Sequence, residues 1–260
     1  MKHIESRSNT LFKQLYKWQS SAGRRGEPVI LDGIHLCESW LTVGRPPQYA
    51  IFDIDRVQEP QLQALIDKLA PELCLTMSGG LLGGLSDFNT NQGVLFVVQP
   101  KVDTLPMRIK ESVVVLDRIQ DPGNVGTLLR TCAAAGIKRV FATTGTATLW
   151  SPRVLRSGQG AHFALRLHEQ ADLEAMIATL EIPLVVTSLA EAQDLFATEL
   201  PDHCAWVFGN EGQGVDAALL KRAKLRVKIA HDLTGAESLN VTAAAAICLF
   251  EQRRQHRKSS

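Results

Sequence analysis

The stretch that decides the fold is SVVVLDRIQDPGNVGTLLRTCAAAG, residues 112–136. Its first eight residues are mostly apolar and predict a buried strand. The Asp-Pro-Gly-Asn sequence that follows predicts a loop entering a helix, and Gly136 is a suitable C-cap for that helix. A strand followed by a loop and a helix is the unit from which helix-covered parallel sheets are built, so the segment predicts an α/β fold.

The same alternation of strands and helices continues on both sides of this segment. Predicted strands lie at 29–33, 49–54, 73–77, 92–100, 139–144, 164–168, 183–189, 203–210 and 225–230. A long helix closes the chain, with Ser238 as a credible N-cap. Residues 101–111 are polar and contain a proline, which is typical of a linker. The pattern predicts two α/β units with at least partly parallel sheets.

Composition excludes several classes of protein. Of 260 residues, 45% are hydrophobic and 21% are charged, which is typical of a globular protein. The apolar runs are short and interrupted, so we expect neither a membrane span nor a secretory leader. None of the five cysteines lies in a CxxC pair, so neither a disulfide framework nor a zinc site is indicated, and a reducing cytosol is expected.

Charge is uneven along the chain, although the net charge is only +1. Residues 1–28 carry six Lys and Arg against two Glu, and residues 251–260 carry four against one. Such ends either attract a phosphate backbone or are simply solvated. Aromatic residues interleaved with Lys13 and Lys17 suit stacking on nucleic acid, but helical spacing favours a packed face made of Leu11, Leu15 and Trp18.

Three segments of the second unit carry possible chemistry. In the first, Arg130 lies one turn after Gly126 near a helix start, where it can bind a phosphate or simply remain a surface residue. The second, VFGNEGQGV at 207–215, is a strand running into a glycine-rich loop that can present backbone donors or form a tight turn. The third, GAESLNVTAAAAICLF at 235–250, is by itself a capped, buried helix.

The glycine-rich loop does not match the common nucleotide-binding motifs. No Lys-Ser/Thr pair follows it at the P-loop spacing, and its order is G-x-x-G-x-G rather than G-x-G-x-x-G. It also comes late in the chain, which argues against an NAD enzyme and against the common Rossmann methyltransferase layout. Glu211 in its middle makes a plain turn less favourable, because the carboxylate needs a donor or a ligand.

Together, NVGTLLR at 124–130, FGNEGQG at 208–214 and ESLNVTAAAA at 237–246 resemble the three motifs of the SpoU/TrmH family of RNA ribose methyltransferases, a branch of the SPOUT class. The resemblance is strong over 112–252. Residues 1–100 are moderately similar to the substrate-binding domain that precedes the catalytic domain in rRNA-acting members.

This resemblance implies a small α/β/α RNA-binding domain at 1–104 and a SPOUT catalytic domain at 105–260 whose C-terminal segments form a deep trefoil knot. It implies an enzyme that transfers a methyl group from S-adenosylmethionine to a ribose 2′-hydroxyl of RNA, with rRNA favoured over tRNA. It further implies a cytoplasmic homodimer formed through the C-terminal domain, with its site near the subunit interface and without metal or membrane.

By match to the motifs, Arg130 is the catalytic residue and Asn124 supports it, while Glu211, Ser238 and Asn240 shape the pocket. The positions that match the family's cofactor contacts are Thr187, Gly209, Ile229 and Leu239. Family proposals make the arginine a base. Because a free guanidinium has a pKa above about 12, we favour a residue that orients the ribose and stabilises developing alkoxide charge.

One departure and two alternatives accompany this assignment. The family usually has Ile-Pro-Met before the third motif, whereas this chain has Ile229-Ala230-His231-Asp232 and one residue more, which puts the contacts of Ile229 in question. A non-catalytic RNA-binding or ribosome-assembly protein on the same scaffold is the main alternative, although a pure binder does not need the whole residue set. A nucleotide-dependent oxidoreductase lacks its early glycine fingerprint.

Overall fold

The computed structural model describes residues 1–21, 23, 26–86, 92–232 and 238–256. The chain divides into two compact units. Unit 1 comprises residues 1–102 together with 150–163, and unit 2 comprises 103–149 together with the chain from 164 onward. Residues 150–163, which the sequence analysis assigns to the catalytic domain, therefore pack with the N-terminal unit.

The regular elements follow in chain order. Up to residue 102 they are β1 Lys2–Ile4, α1 Thr10–Ser20, β2 Val29–Asp32, α2 Ile34–Thr42, β3 Tyr49–Asp53, α3 Pro60–Ile66, β4 Cys74–Met77, α4 Gly79–Gly83 and β5 Val94–Val98. Beyond it they are β6 Val113–Asp117, α5 Pro122–Ala135, β7 Arg139–Thr143, α6 Pro152–Gly158, β8 Arg166–Ala171, α7 Leu173–Thr179, β9 Leu184–Thr187, β10 Gln193–Asp194, β11 Ala205–Gly209, α8 Ala217–Arg222, β12 Leu225–Lys228 and α9 Val241–His256.

Unit 1 is built on a mixed sheet with the described strand order β1-β4-β3-β5-β2. Strand β5 runs antiparallel to both of its neighbours, and the other pairings are parallel. Helix α1 packs its apolar face on the sheet: Leu15 is fully buried and Leu11 and Trp18 are partly buried against the same core. This confirms the packed face, while Tyr16 on the same helix remains more than half exposed.

Unit 2 is built on a sheet in which every described pairing is parallel, in the order β10-β12-β9-β11-β6-β7-β8. Its central strands β6 and β7 are buried along their whole length, as expected for a parallel sheet covered on both faces. Helix α5 begins with Pro122 after the N-cap Asp121 and ends at Gly136 in the left-handed conformation, which confirms the predicted C-cap.

Strand order in unit 2 reverses between β6 and β11, and the switch point at the carboxyl ends of these two strands is here named the crevice. From β6 the chain moves through α5 to β7 on one side, whereas from the adjacent β11 it moves through α8 to β12 on the other side. Ligands of open parallel sheets bind where the connections diverge in this way, outside the carboxyl ends of the strands. The loops that follow Asp117 and Gly209, which are paired across β6 and β11, meet at this point.

Within the described ranges, two strands lie outside the predicted set, β1 and the two-residue β10. Both are short, and each pairs in parallel with a strand distant in the sequence, β4 and β12 respectively. None of the helices in the described ranges combines the length and hydropathy that a bilayer-spanning helix requires.

Candidate active site

A buried carboxylate anchors the crevice between β6 and β11. Asp117 ends β6 and is 1% exposed, so its charge needs donors to offset the loss of water. Its oxygens accept hydrogen bonds from Thr143 Oγ1 at 3.1 Å and from the backbone N–H of Asp216 at 2.8 Å. The Arg118 guanidinium completes the set, with Nη2 at 3.2 Å. Asp117 thereby joins the ends of β6 and β7 to the start of α8.

The glycine loop, residues 210–214, is held in a tight turn beside this carboxylate. Asn210 Oδ1 accepts from the backbone N–H groups of Gly212 and Gln213, both at 2.9 Å. The N–H of Gly214 returns to the carbonyl of Asn210 at 2.9 Å. The loop folds so closely over the end of β11 that a Cβ added at Gly209 would lie 2.4 Å from the nitrogen of Val215. Only glycine fits at 209.

Three polar side chains from three separate motifs meet in one hydrogen-bonded chain, here named the amide relay: Asn240, Asn124 and Glu211. Asn240 Nδ2 donates to Asn124 Oδ1 at 3.2 Å, and Asn124 Nδ2 donates to Glu211 Oε1 at 2.9 Å. Thr242 fixes the direction, because its backbone N–H donates to Asn240 Oδ1 at 2.8 Å. Each amide is then oriented in turn, and Glu211 is left as the terminal acceptor.

Asn240 also caps the closing helix. Its Oδ1 accepts from Thr242, and its carbonyl accepts from the N–H of Ala244 at 3.0 Å, so α9 begins at Val241. The prediction that Ser238 is the N-cap is therefore wrong, since asparagine serves equally well and stands nearer the helix. Ser238 is exposed, and residues 233–237, which open the third motif, lie outside the described residues.

Arg130 is not bonded to the amide relay in its own chain. It is exposed on α5, on the same face as Gly123 and Thr127, and six residues beyond Asn124. Six residues correspond to about 9 Å along the axis and to a different side of the helix. Within the described ranges its guanidinium forms neither a hydrogen bond nor an ion pair. The structure thus assembles Asn124, Glu211 and Asn240, and leaves Arg130 facing outward.

The four predicted cofactor positions lie close to the carboxyl edge or to the third motif. Thr187 ends β9 and donates to the carbonyl of Val207 at 3.3 Å, and Gly209 ends the adjacent β11. Ile229 follows the last residue of β12, and Leu239 immediately precedes the helix cap. Ile229 and Leu239 are half-buried. Three of the four positions therefore lie at the carboxyl ends of neighbouring parallel strands.

The segment that departs from the family pattern has its own local structure. His231 Nδ1 contacts the carbonyl of Ile229 at 2.8 Å, so this nitrogen carries the proton and the ring is held against its own backbone.

The cysteine on α5 is unsuited to act as a nucleophile, because burial raises the pKa of the Cys132 thiol to about 12. Within the described ranges no group of three His, Cys, Asp or Glu side chains is placed to hold a metal ion.

Asp117, Arg118 and Asn210 are the site residues that the sequence analysis missed. A carboxylate at the end of an otherwise apolar strand was a usable signal for Asp117, because a charge there must be paired. Arg118 gave no such signal: its φ is +56°, a conformation that sequence rules assign to Gly, Asn or Asp.

The chain is similar in sequence to known methyltransferases. The model of the SpoU rRNA Methylase family matches residues 111–250. The chain is 31% identical over 259 residues to the 23S rRNA (guanosine(2553)-2'-O)-methyltransferase RlmP of Bacillus subtilis, covering 97% of this chain and 100% of the relative. It is 30% identical to an uncharacterized tRNA/rRNA methyltransferase of Synechocystis, covering 97% and 93%.

Among solved structures, the SpoU methyltransferase AviRb of Streptomyces viridochromogenes in complex with the cofactor AdoMet superposes with a TM-score of 0.83. That likeness covers 97% of this chain and 100% of AviRb at 25% identity. It extends over both units, which accounts for a sequence resemblance that reaches beyond the three motifs.

Proposed function

We propose that this chain, which belongs to the SpoU rRNA methylase family, transfers the methyl group of S-adenosylmethionine to a ribose 2′-hydroxyl of RNA. The predictions of the family, of an RNA methyltransferase and of S-adenosylmethionine as its cofactor are confirmed by the comparisons. The observation that carries the site assignment is the amide relay at the crevice between β6 and β11. Three distant motifs contribute one residue each to it.

The residues at the crevice are suited to hold S-adenosylmethionine. Thr187 and Gly209 end two neighbouring parallel strands and Ile229 follows a third. These three residues would hold the cofactor mainly through backbone groups, with Leu239 from the third motif. The missing side chain at Gly209 lets main chain pass directly over the strand end. When bound, S-adenosylmethionine supplies a methyl group that the positive charge of its sulfonium already activates.

The chain's own residues position the attacking oxygen. Glu211, fixed by Asn124, presents a carboxylate to the ribose, and Asn240 keeps Asn124 in the required orientation. Arg130 orients the 2′-oxygen and offsets the negative charge that develops on it. Because a guanidinium stays protonated, the hydroxyl proton passes onward to solvent or to a substrate phosphate. Ser238, exposed beside the relay motif, lines the same pocket.

A homodimer formed through unit 2 accounts for the position of Arg130. The arginine lies on an exposed face of α5, and α5 packs on α9, whose Phe250 is 47% exposed. A second copy seated on this surface would cover the phenylalanine and bring Arg130 to a subunit interface.

The family's C-terminal trefoil knot is also proposed for this chain, and two observations support it. Strand β11 lies between β6 and β9, and Gln252 of α9 returns to accept a hydrogen bond from Trp206 Nε1 at 2.8 Å.

The substrate proposed is rRNA, since RlmP carries that substrate in its name and the likeness spans both units. The 1–104 region would bind the RNA and the 105–260 region would catalyse transfer. Lys13 and Lys17 on α1 are exposed, whereas Arg24, Arg25, Arg257 and Lys258 lie outside the described residues. Five buried, free cysteines suit a reducing cytoplasm.

The test combines cofactor binding with RNA mapping. Isothermal titration should show S-adenosylmethionine binding, and labelled methyl should pass to total RNA at a ribose 2′-oxygen. Comparing ribose methylation in rRNA from cells with and without the gene should identify the nucleotide. A non-catalytic RNA-binding protein would bind RNA without transferring label, and that result would contradict the proposal.

A further inference from the structure

Arg118 has a strained backbone and an unusually complete set of contacts. It follows β6 directly, with φ at +56°, although a side chain with a Cβ is disfavoured there. Such outliers persist only when the surrounding structure fixes them, and they concentrate at functional sites. The contacts of Arg118 therefore indicate what holds it in this conformation.

The guanidinium of Arg118 reaches from the β6 loop to the glycine loop. Nη1 donates to Gln213 Oε1 at 3.0 Å, and Nη2 donates to the carbonyl of Gly214 at 3.2 Å. The same group pairs with Asp117, with Nε at 3.3 Å from Oδ1 and Nη2 at 3.2 Å from Oδ2. The side chain is 28% exposed, so most of its surface faces protein.

The main chain of Arg118 is held in the same way. Its N–H donates to Thr143 Oγ1 at 3.0 Å, and its carbonyl accepts from Asn210 Nδ2 at 2.9 Å. Asn210 is the residue whose Oδ1 organises the glycine loop. The left-handed backbone at 118 thus presents both the carbonyl and the guanidinium to the loop that carries Glu211.

We propose that Arg118 is a positioning residue for methyl transfer, which clamps the glycine loop so that Glu211 meets Asn124. The proposal rests on the proposed function, and assigns Arg118 no contact with substrate. A phosphate-binding role fits less well, because the guanidinium donors already point at protein acceptors on two loops. The charge on Arg118 is also partly neutralised by the buried carboxylate of Asp117.

Arg118→Gly separates clamping from folding, because glycine relieves the backbone strain while removing the guanidinium. At saturating RNA and cofactor we expect kcat to fall about tenfold or more, since small misplacements of reacting groups are costly, while KM for RNA stays within about twofold. Because the variant also leaves the buried Asp117 carboxylate without its guanidinium partner, kcat is measured at a temperature at which circular dichroism shows both proteins folded. Gln170→Gly is the matched control, because Gln170 is exposed on β8 with a similar φ of +49°, and it should keep wild-type kcat.

Two further variants test the route through Glu211. Arg118→Lys keeps the charge but loses the planar fork, so it should recover only part of the lost kcat. In the Arg118→Gly, Glu211→Gln double variant, kcat should match that of Glu211→Gln alone within about twofold, because residues acting as a unit are not additive. Wild-type kcat in Arg118→Gly, or independent and multiplicative losses in the double variant, would overturn the proposal.

Amide hydrogen exchange provides a readout that does not depend on activity. The N–H groups of Gly212, Gln213 and Gly214 are bonded to Asn210, so release of the clamp should speed their exchange about tenfold. Unchanged exchange in Arg118→Gly would reject the clamp even if the wild-type protein transferred no methyl. An inactive wild type with faster exchange in the variant would instead reject the proposed function and retain the clamp.

Discussion

The crevice between β6 and β11 and the exposed face of α5 differ in how much of their geometry one chain supplies. At the crevice, Asn240, Asn124 and Glu211 bond to one another, and Arg118 bonds to the glycine loop that carries Glu211. On the α5 face, Arg130 stands in solvent. Three of the five predicted catalytic residues are therefore bonded to one another within the chain, whereas Arg130 has no hydrogen-bond or ion-pair partner among the described residues.

The largest effect is expected at the exposed face. Arg130→Ala should lower kcat by about 100-fold or more, because in the proposed mechanism it removes the cation that offsets charge on the 2′-oxygen. Melting temperature and S-adenosylmethionine affinity should stay unchanged, since the side chain is exposed and has no bonds in the described structure. Single-turnover transfer of labelled methyl measures this, with Lys221→Ala as the control for losing an exposed helical cation. Near-wild-type turnover would remove Arg130 from the mechanism.

Mixed dimers of the proposed homodimer test whether Arg130 acts at the crevice of its own chain or at that of the partner chain. Arg130→Ala is co-expressed with Asn240→Asp, and the doubly tagged heterodimer is isolated. If Arg130 acts on its partner's relay, one of the two sites is intact, and activity should return to about half of wild type. If each arginine serves its own chain, both sites carry a defect and activity stays at about a tenth of wild type or less.

The relay can be broken without weakening the helix it caps. Asn240→Asp retains an oxygen for the N–H of Thr242 but loses the Nδ2 donor to Asn124, so kcat should fall about tenfold with little change in stability. Asn240→Ala loses both roles and should also lower the free energy of unfolding by about 1 kcal/mol. Chemical denaturation together with kinetics distinguishes the two. Wild-type kcat in Asn240→Asp would show that Asn240 is only a cap.

Gly209 tests whether the crevice needs its close backbone approach. Gly209→Ala places a Cβ 2.4 Å from the nitrogen of Val215, so the glycine loop must move, and we expect a loss of about 1–3 kcal/mol in the free energy of unfolding. Weaker cofactor binding should accompany it. Gly212→Ala is the control, because its nearest neighbour would be Asn210 Oδ1 at 3.7 Å. Equal stability of the two variants would contradict the packing argument.

The smallest effect belongs to unit 1. Lys13→Glu and Lys17→Glu change exposed charges on α1, and each should raise KM for RNA about two- to fivefold at low salt while leaving kcat unchanged. The slope of affinity against salt concentration should become shallower, since fewer counterions are released. No change in either quantity would assign these lysines to plain solvation.

Much of this architecture follows from local sequence, and the remainder depends on contacts between distant segments. Apolar spacing predicts the strand that ends at Asp117. The proline and glycine residues at the ends of the next helix predict its start at Pro122 and its cap at Gly136. Strands β1 and β10 do not, because short parallel strands are defined by partners far along the chain. The choice of Asn240 over Ser238 as the helix cap depends on geometry, since both residue types serve equally well.

The candidate site shows the same division. The resemblance to the family predicts Asn124, Glu211 and Asn240 as one group, and their roles remain predictions. Their order of bonding depends on how the first turn of α5, the glycine loop and the start of α9 come together. The role of Arg118 cannot be predicted from the sequence. An arginine in a sequence indicates neither a positive φ nor a hydrogen bond to the carbonyl of Gly214.

The place of β11 in the sheet also governs how the molecule is made. It pairs on one side with β6, which leaves the ribosome some ninety residues earlier, and on the other with β9. Until Ala205–Gly209 are synthesised, both partners expose unpaired, strongly apolar edges, and contacts of such long sequence separation form slowly. The sheet of unit 2 therefore cannot be completed until β11 has been synthesised and has paired with both strands.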